Sequence, residues 1–433
     1  MAEPDDRRTP EALLAFLDAS PSPYHAVSSA AGRLTAAGFV EVTETADWTA
    51  GLPDRWFVRR GGALVAAAWP AALAPDTPFR IVGAHTDSPN LRLKPRPTTV
   101  AAGWQRLAVE VYGGPLLNSW LDRDLGLAGR VSVRRAGGTD VELVHLEGPV
   151  ARIPQLAIHL DREVNQAGLV VNPQQHLLPL WAPDGEPDVL EAVAAVVGAG
   201  VKDLLTWDLM LHDIQPAALN GPDGELLVGG RLDNLVSCFV AVEALAAAVD
   251  EPGEPTSIPL ICLFDHEEVG SVSRTGADGD LLPGLLERAH AARGGTGDAR
   301  ARALAASACV SADMAHATHP NHADRHDPGH PVMINGGPVV KVNASQRYAT
   351  DAESAVPFLT AAAAAGVPVQ RFVSRSDQPC GSTIGPVTAA RLGIPTVDVG
   401  VAQFAMHSAR ETAGARDPEL FRQALAAFLV GSG

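Results

Sequence analysis

Two glutamates stand side by side in Asp265-His266-Glu267-Glu268-Val269-Gly270, directly after an apolar run that ends at Phe264. Paired carboxylates just past a buried strand lie where α/β sheets place their sites. Such a pair can divide labour, one holding a metal ion while the other moves a proton. Taken alone, the run is equally an acidic turn in solvent. Four other places change that balance. His85 follows an apolar run at 79–84, with Asp87 two residues on, near enough in sequence to orient the imidazole. Asp233 follows Gly229-Gly230-Arg231-Leu232 and opens a helical pattern, and Asp313 follows the short run Cys309–Ser311. His407 lies in Met406-His407-Ser408-Ala409-Arg410-Glu411, just past another strand-like run. Imidazole and carboxylate donors suit zinc, with cobalt or manganese as substitutes. With one carboxylate shared, five ligands give three donors to each of two ions and leave positions open for water and substrate, the arrangement a two-metal hydrolase uses.

Those residues need a frame that brings strand ends together. Pro10 opens a run with Leu13, Leu14 and Leu17 at helical spacing, and residues 63–68 and 79–84 read as buried strands. From about Pro95 to Pro216 the pattern changes to short alternating segments, such as 107–112 and 130–134, which predict a half-exposed antiparallel sheet. After Gly221 longer apolar runs return, with helical patterns at 234–249, 352–364 and 418–430 and strand patterns at 257–264, 309–311, 372–373 and 395–399. Strands alternating with helices predict an α/β fold, a mixed sheet covered by helices on both faces. The division expected is a discontinuous domain of residues 1–94 and 221–433 interrupted by a β-rich domain over 95–220. No internal repeat is visible.

Composition sets the outer limits. A chain of 433 residues with 46% apolar content is long enough for two or three domains and a sizeable core. The net charge of −17 argues against nucleic acid and anionic membrane as partners. No apolar run approaches the ~18 residues of a membrane span. The start, Met1-Ala2-Glu3-Pro4-Asp5-Asp6, is acidic and lacks a signal peptide's order. Cys238, Cys262, Cys309 and Cys380 form no disulfide framework. The expectation is a cytoplasmic protein. Among 33 basic residues only Lys94, Lys202 and Lys341 are lysines, which singles out each of them.

Seven runs together carry a family resemblance. They are GAHTDSPNLRLKP (83–95), RIPQLAIHLDREVN (152–165), GGRLDNL (229–235), DHEEVGS (265–271), SADMAHATHPNH (311–322), GGPVVKVNASQRY (336–348) and MHSARE (406–411). The chain closely resembles the aspartyl aminopeptidase family of dinuclear zinc peptidases. The resemblance implies two zinc ions per subunit, one held by His85, Asp233 and Asp313, the other by Asp233, Glu268 and His407, with Glu267 as general base toward an attacking water. It implies substrate contacts at His159, His316, Lys341 and Tyr348. It also implies peptide substrates, an inserted domain used for dimerisation, a homo-oligomer of tetrahedral dodecamer type, and a cis peptide after Asp233. Preference for N-terminal Asp or Glu needs local positive charge in an acidic chain, and Lys341 is the source expected. The rival readings are a related zinc deacylase or carboxypeptidase and a non-catalytic, metal-stabilised scaffold.

Other features read more plainly. His316 belongs with the site, whereas His319, His322, His326 and His330, broken by Pro320 and Pro328, read as an exposed loop. Cys380 has no committed histidine partner and reads as a small buried residue beside Gly381.

Overall fold

A computed structural model describes residues 10–252 and 255–431. The acidic start, Met1 to Asp6, lies outside the described residues. The larger sheet has nine strands, in the order Val40–Glu41, Arg55–Arg60, Ala63–Ala68, Ile258–Phe264, Phe79–His85, Ala308–Ala312, Thr396–Gly400, Val339–Val342 and Gln370–Val373. The four strands from Ile258–Phe264 to Thr396–Gly400 are mutually parallel, so their C-terminal ends emerge on one edge. All seven residues of Ile258–Phe264 and all five of Ala308–Ala312 are buried, which explains their continuous rather than alternating apolar pattern.

Both faces of this sheet are covered. Val82, Ile261 and Val310 pack into a core with Val27, Val236, Leu245, Phe358 and Phe421 from helices on one side. Ile81, Leu260 and Cys262 face a second core with Leu281, Leu285 and Ile384 from helices on the other. The helices Leu281–Ala292 and Ile384–Leu392 that supply those last three residues are shorter than the buried helix Leu232–Ala248.

The second sheet has six strands, drawn from Asn90–Ala101 through Leu204–Asp213, and every pairing within it is antiparallel. Its own core includes Leu107, Leu127, Val131 and Leu209, covered by Val189 and Val193 of the helix Val189–Val196. A third sheet of five short strands joins Ala218–Asn220 and Leu226–Gly229 to Ala315–His316, Ala402–Phe404 and Glu411–Gly414. Sequence periodicity does not predict it, because strands of two to four residues carry too few alternations to register. Between Ile153 and Leu177 of the second sheet's connections runs a mostly exposed segment, with Leu156 58%, Leu160 74% and Val170 83% accessible. Among the described residues no helix is long and apolar enough to cross a membrane.

Candidate metal centre and active site

Strand ends deliver most of the functional groups. His85 closes Phe79–His85, Asp313 follows Ala308–Ala312, and Glu267 and Glu268 sit on the single turn Glu267–Val269 just after Ile258–Phe264. Asp233 lies at the start of the helix Leu232–Ala248, in non-helical backbone, and the Asp233–Asn234 peptide is cis. His407 follows the short strand Ala402–Phe404 and is held at φ 67°.

Two groups of three ligand atoms result, each with its members within 4.8 Å of one another: His85, Asp233 and Asp313, and Asp233, Glu268 and His407. His85 Nε2 is 3.4 Å from Asp233 Oδ1 and 3.5 Å from Asp313 Oδ1. His407 Nε2 is 3.7 Å from Asp233 Oδ2 and 3.4 Å from Glu268 Oε2. Asp233 therefore turns one oxygen to each group. Glu267 adds a carboxylate 4.0 Å from His85 Nε2 without belonging to either.

The surroundings fix which atoms are free to bind. His85 Nδ1 lies 3.0 Å from the carbonyl of Asp87, and His407 Nδ1 lies 3.0 Å from that of Gly114. A ring nitrogen facing a carbonyl carries the proton, so both Nε2 atoms keep a lone pair for a cation. Asp87 Oδ1 and Oδ2 accept the backbone N–H groups of Glu267 and Glu268, and Tyr112 Oη donates to Asp87 Oδ2 at 2.6 Å. Glu411 accepts the backbone N–H groups of both Asp233 and His407. Asp233 Oδ1 and Glu268 Oε1 are buried without a hydrogen-bond partner. Buried carboxylate oxygens in that state require a cation or a proton. The residues fit two zinc-like ions: imidazole and carboxylate donors, correct tautomers, and orphaned oxygens within the ligand groups.

The electrostatics agree. Burial, then repulsion from Asp233, pushes Glu268 well above the usual carboxylate range. Burial likewise lifts Glu267, to about 8, with Asp313, Asp87 and Asp233 adding to it against His85. Burial alone would depress His85, but its contacts to Asp233, Asp313 and Asp87 outweigh that and hold it well above its ordinary value. Asp313 is buried too, yet Lys341 and His85 pull it below the ordinary range. So many acids meeting in one place is a standing demand for positive charge.

A cavity of about 310 Å³ opens over these atoms, and His316, Lys341 and Tyr348 line it with them. Lys341 is 1% exposed, and its Nζ donates to Asp313 Oδ2 at 3.2 Å and to the Met314 carbonyl at 3.1 Å. His316 faces the cavity, and the protein around it, then Lys341, holds its imidazole below the ordinary value. His159 is not among the lining residues; it stands in the exposed segment after Ile153. Sequence reasoning misses Tyr112, Gly113, Gly114 and Glu411. The signal was present as a Tyr-Gly-Gly run closing an alternating strand: Gly113 sits at φ 71°, and a Cβ there would lie 3.1 Å from Glu268 Cβ. Cys380, expected to be buried, is only half-buried.

A sequence profile described as Aminopeptidase I zinc metalloprotease (M18) matches residues 16–429. The chain belongs to the M18 aminopeptidase family. The Probable M18 family aminopeptidase 2 of Streptomyces coelicolor is 53% identical over 429 residues, covering 98% of each chain. Among solved structures, one titled the Ape4 and Nbr1 complex gives a TM-score of 0.94 at 36% identity, over 97% of this chain and 85% of that one. The S. cerevisiae mApe1 dodecamer gives 0.84 at 28% identity, over 97% and 95%. As an M18 aminopeptidase the chain is a zinc-dependent peptide hydrolase.

Proposed function

We propose that this aminopeptidase removes N-terminal Asp and Glu in preference to other residues, with two zinc ions and Glu267 as general base. The observation that carries this reading is the pair of ligand groups sharing Asp233, with Glu267 beside them and outside both. His85, Asp233 and Asp313 would hold one ion, and Asp233, Glu268 and His407 the other. When bound, two such ions supply Lewis-acid polarisation of the scissile carbonyl and a more acidic attacking water. Glu267 takes a proton from that water at Oε2 and returns it to the leaving nitrogen. Glu411 and Asp87 keep the ligands in place through their backbone and ring contacts.

Lys341 supplies the positive charge for an acidic N-terminal side chain. Two of its three N–H donors are engaged, so one remains for substrate. Tyr348 and His316 complete the wall. His159 is offered to a second copy: its segment exposes Leu156, Ile158 and Leu160, an apolar row that a partner subunit would cover. We propose a homo-oligomer, of the kind seen in the mApe1 dodecamer, in which the six-stranded sheet and this segment make the dimer contact.

The test is a rate profile over peptides beginning with Asp, Glu, Leu and Ala, free and N-acetylated, with zinc, cobalt and manganese. Free Asp and Glu peptides should lead and acetylated ones should fail. Lys341→Met should shrink the Asp-to-Leu ratio about tenfold, the worth of one hydrogen bond to a charged group. A flat profile in the native protein, or an unchanged ratio in the variant, removes the acidic preference or its assigned source respectively.

A further inference from the structure

A second cavity, of about 230 Å³, adjoins the one over the metal ligands, and His316 and Tyr348 line both. None of the five candidate ligands lines it, and neither does any acidic side chain. Its basic wall is Arg325, His326 and Arg375, and Phe372 forms an apolar surface. Two guanidinium groups at one recess stand out in a chain of net charge −17, although Asp324 and Asp377 pair with them from behind. Arg375 Nε and Nη2 grip Asp377 at 2.8 and 2.6 Å, and Nη1 donates to the Asp324 carbonyl at 2.8 Å. Those bonds use three of five guanidinium donors and brace the group without exhausting it. Arg325 has a looser hold, 3.8 Å from Asp324 with its side chain 68% exposed, so its charge is available. His326 Nε2 accepts the backbone N–H of His319 at 3.1 Å, which leaves the proton on Nδ1 as a donor.

We propose that this annexe binds a carboxylate on the leaving side of the peptide, either an acidic side chain at the second residue or the free C-terminus of a dipeptide. Arg forks match carboxylates in shape and charge. The annexe joins the metal cavity through His316, Tyr348 and Gly381 and holds none of the ligand atoms. Its assignment to the part of the peptide beyond the scissile bond is the element of the proposal that the experiment below decides. A volume of about 230 Å³ suits one side chain. This inference rests on the scissile bond being held at the shared-aspartate site.

The experiment uses the full zinc-loaded protein and ratios of kcat/KM measured within one enzyme preparation, so the folded and metal-loaded fractions cancel. One arm compares Leu-Glu-Ala-NH2 with Leu-Gln-Ala-NH2, reading the side-chain source. The other compares Leu-Ala with Leu-Ala-NH2, reading the terminal carboxylate. In at least one arm the acidic member should be favoured about tenfold in the native protein and about equally in Arg325→Gln/Arg375→Gln. Arg325→Gln alone, a change at an exposed side chain, should lower the ratio about threefold and keeps the test open if Arg375→Gln does not fold. Ratios near one in the native protein, or ratios that survive both substitutions, overturn the proposal. So does loss of discrimination between N-terminal Asp and Asn with the downstream ratios unmoved, because the annexe would then hold the first residue. Absence of turnover with every peptide overturns the site assignment itself, an outcome distinct from the others.

Discussion

Glu267 and Glu268 are consecutive, yet they face different histidines, Glu268 toward His407 and Glu267 toward His85. The turn that separates them starts at His266, held at φ 65°, and Asp87 pins both backbone N–H groups. With their main chain fixed by one carboxylate, the two side chains diverge toward different histidines, as the proposed division of labour requires. Glu267→Gln should keep the metal content of the native protein and lose turnover by about 10²–10⁴-fold, the range for a lost acid–base group. Glu268→Gln should lose metal first. Elemental analysis beside a turnover assay separates the two, and equal metal loss in both variants would end this division of labour.

At the scale of elements, the strand Trp104–Tyr112 of the second sheet reaches into the site made by the first. Tyr112 Oη donates to Asp87, Gly113 lies against Glu268, and Gly114 receives the ring proton of His407. Tyr112→Phe keeps the ring, stacked 3.6 Å under the Arg92 guanidinium, but removes one of the three hydrogen bonds that hold the Asp87 carboxylate. Zinc affinity measured against a competing chelator should fall about tenfold, as for other lost supports of ligand residues. Unchanged affinity would confine Tyr112 to packing. A second junction, between the helix Pro23–Ala36 and the second sheet, is made of histidines. His25, from helix Pro23–Ala36, lies 5.9 Å from the His145 ring, which lies 5.3 Å from that of His212. Burial, then His145, lowers His25 to about 4, and burial, then Arg231, lowers His212 to about 3. The unfolded chain binds these protons below its own value near 6.5 while the folded one does not. Their contribution is therefore intact above pH 6.5 and is lost as the pH falls toward 4 and 3. At pH 4.5 the loss from His212 is about 2–3 kcal/mol. His212→Leu should show a smaller drop in Tm between pH 7 and 4.5 than the native protein. An equal drop would place acid sensitivity elsewhere.

For the whole molecule, the exposed row Leu156, Ile158 and Leu160 and the accessible His159 among them argue for a site finished by a second subunit. A neutral imidazole donated across that contact would steady developing charge on the scissile carbonyl, worth about 3 kcal/mol in comparable sites. His159→Ala and Glu267→Ala, each nearly inactive alone, should regain part of the activity when dissociated and reassembled together, because a mixed pair holds one site with both residues intact. Verified mixed oligomers as inactive as their parents would place His159 in its own subunit's site or in none.

The sequence by itself determined the frame and singled out the residues that the fold gathers into two candidate ligand groups. His85, Glu267, Glu268 and Asp313 stand just past buried runs whose parallel strands bring their ends to one edge of the large sheet, while Asp233 and His407 reach the same place from a helix start and from the third sheet. The same periodicities separated the covered sheet from the half-exposed one, since full burial erases alternation and one-sided burial imposes it. Tertiary structure alone decided the support. Tyr112 meets Asp87 across 25 residues, Gly114 meets His407 across 293, and Arg375 borders the cavity beside His316. No local pattern encodes such contacts. Nor does spacing reveal that Lys341 is buried on Asp313 or that Arg325 and Arg375 share a recess, because charge is read from residue type but its availability depends on what folding places beside it.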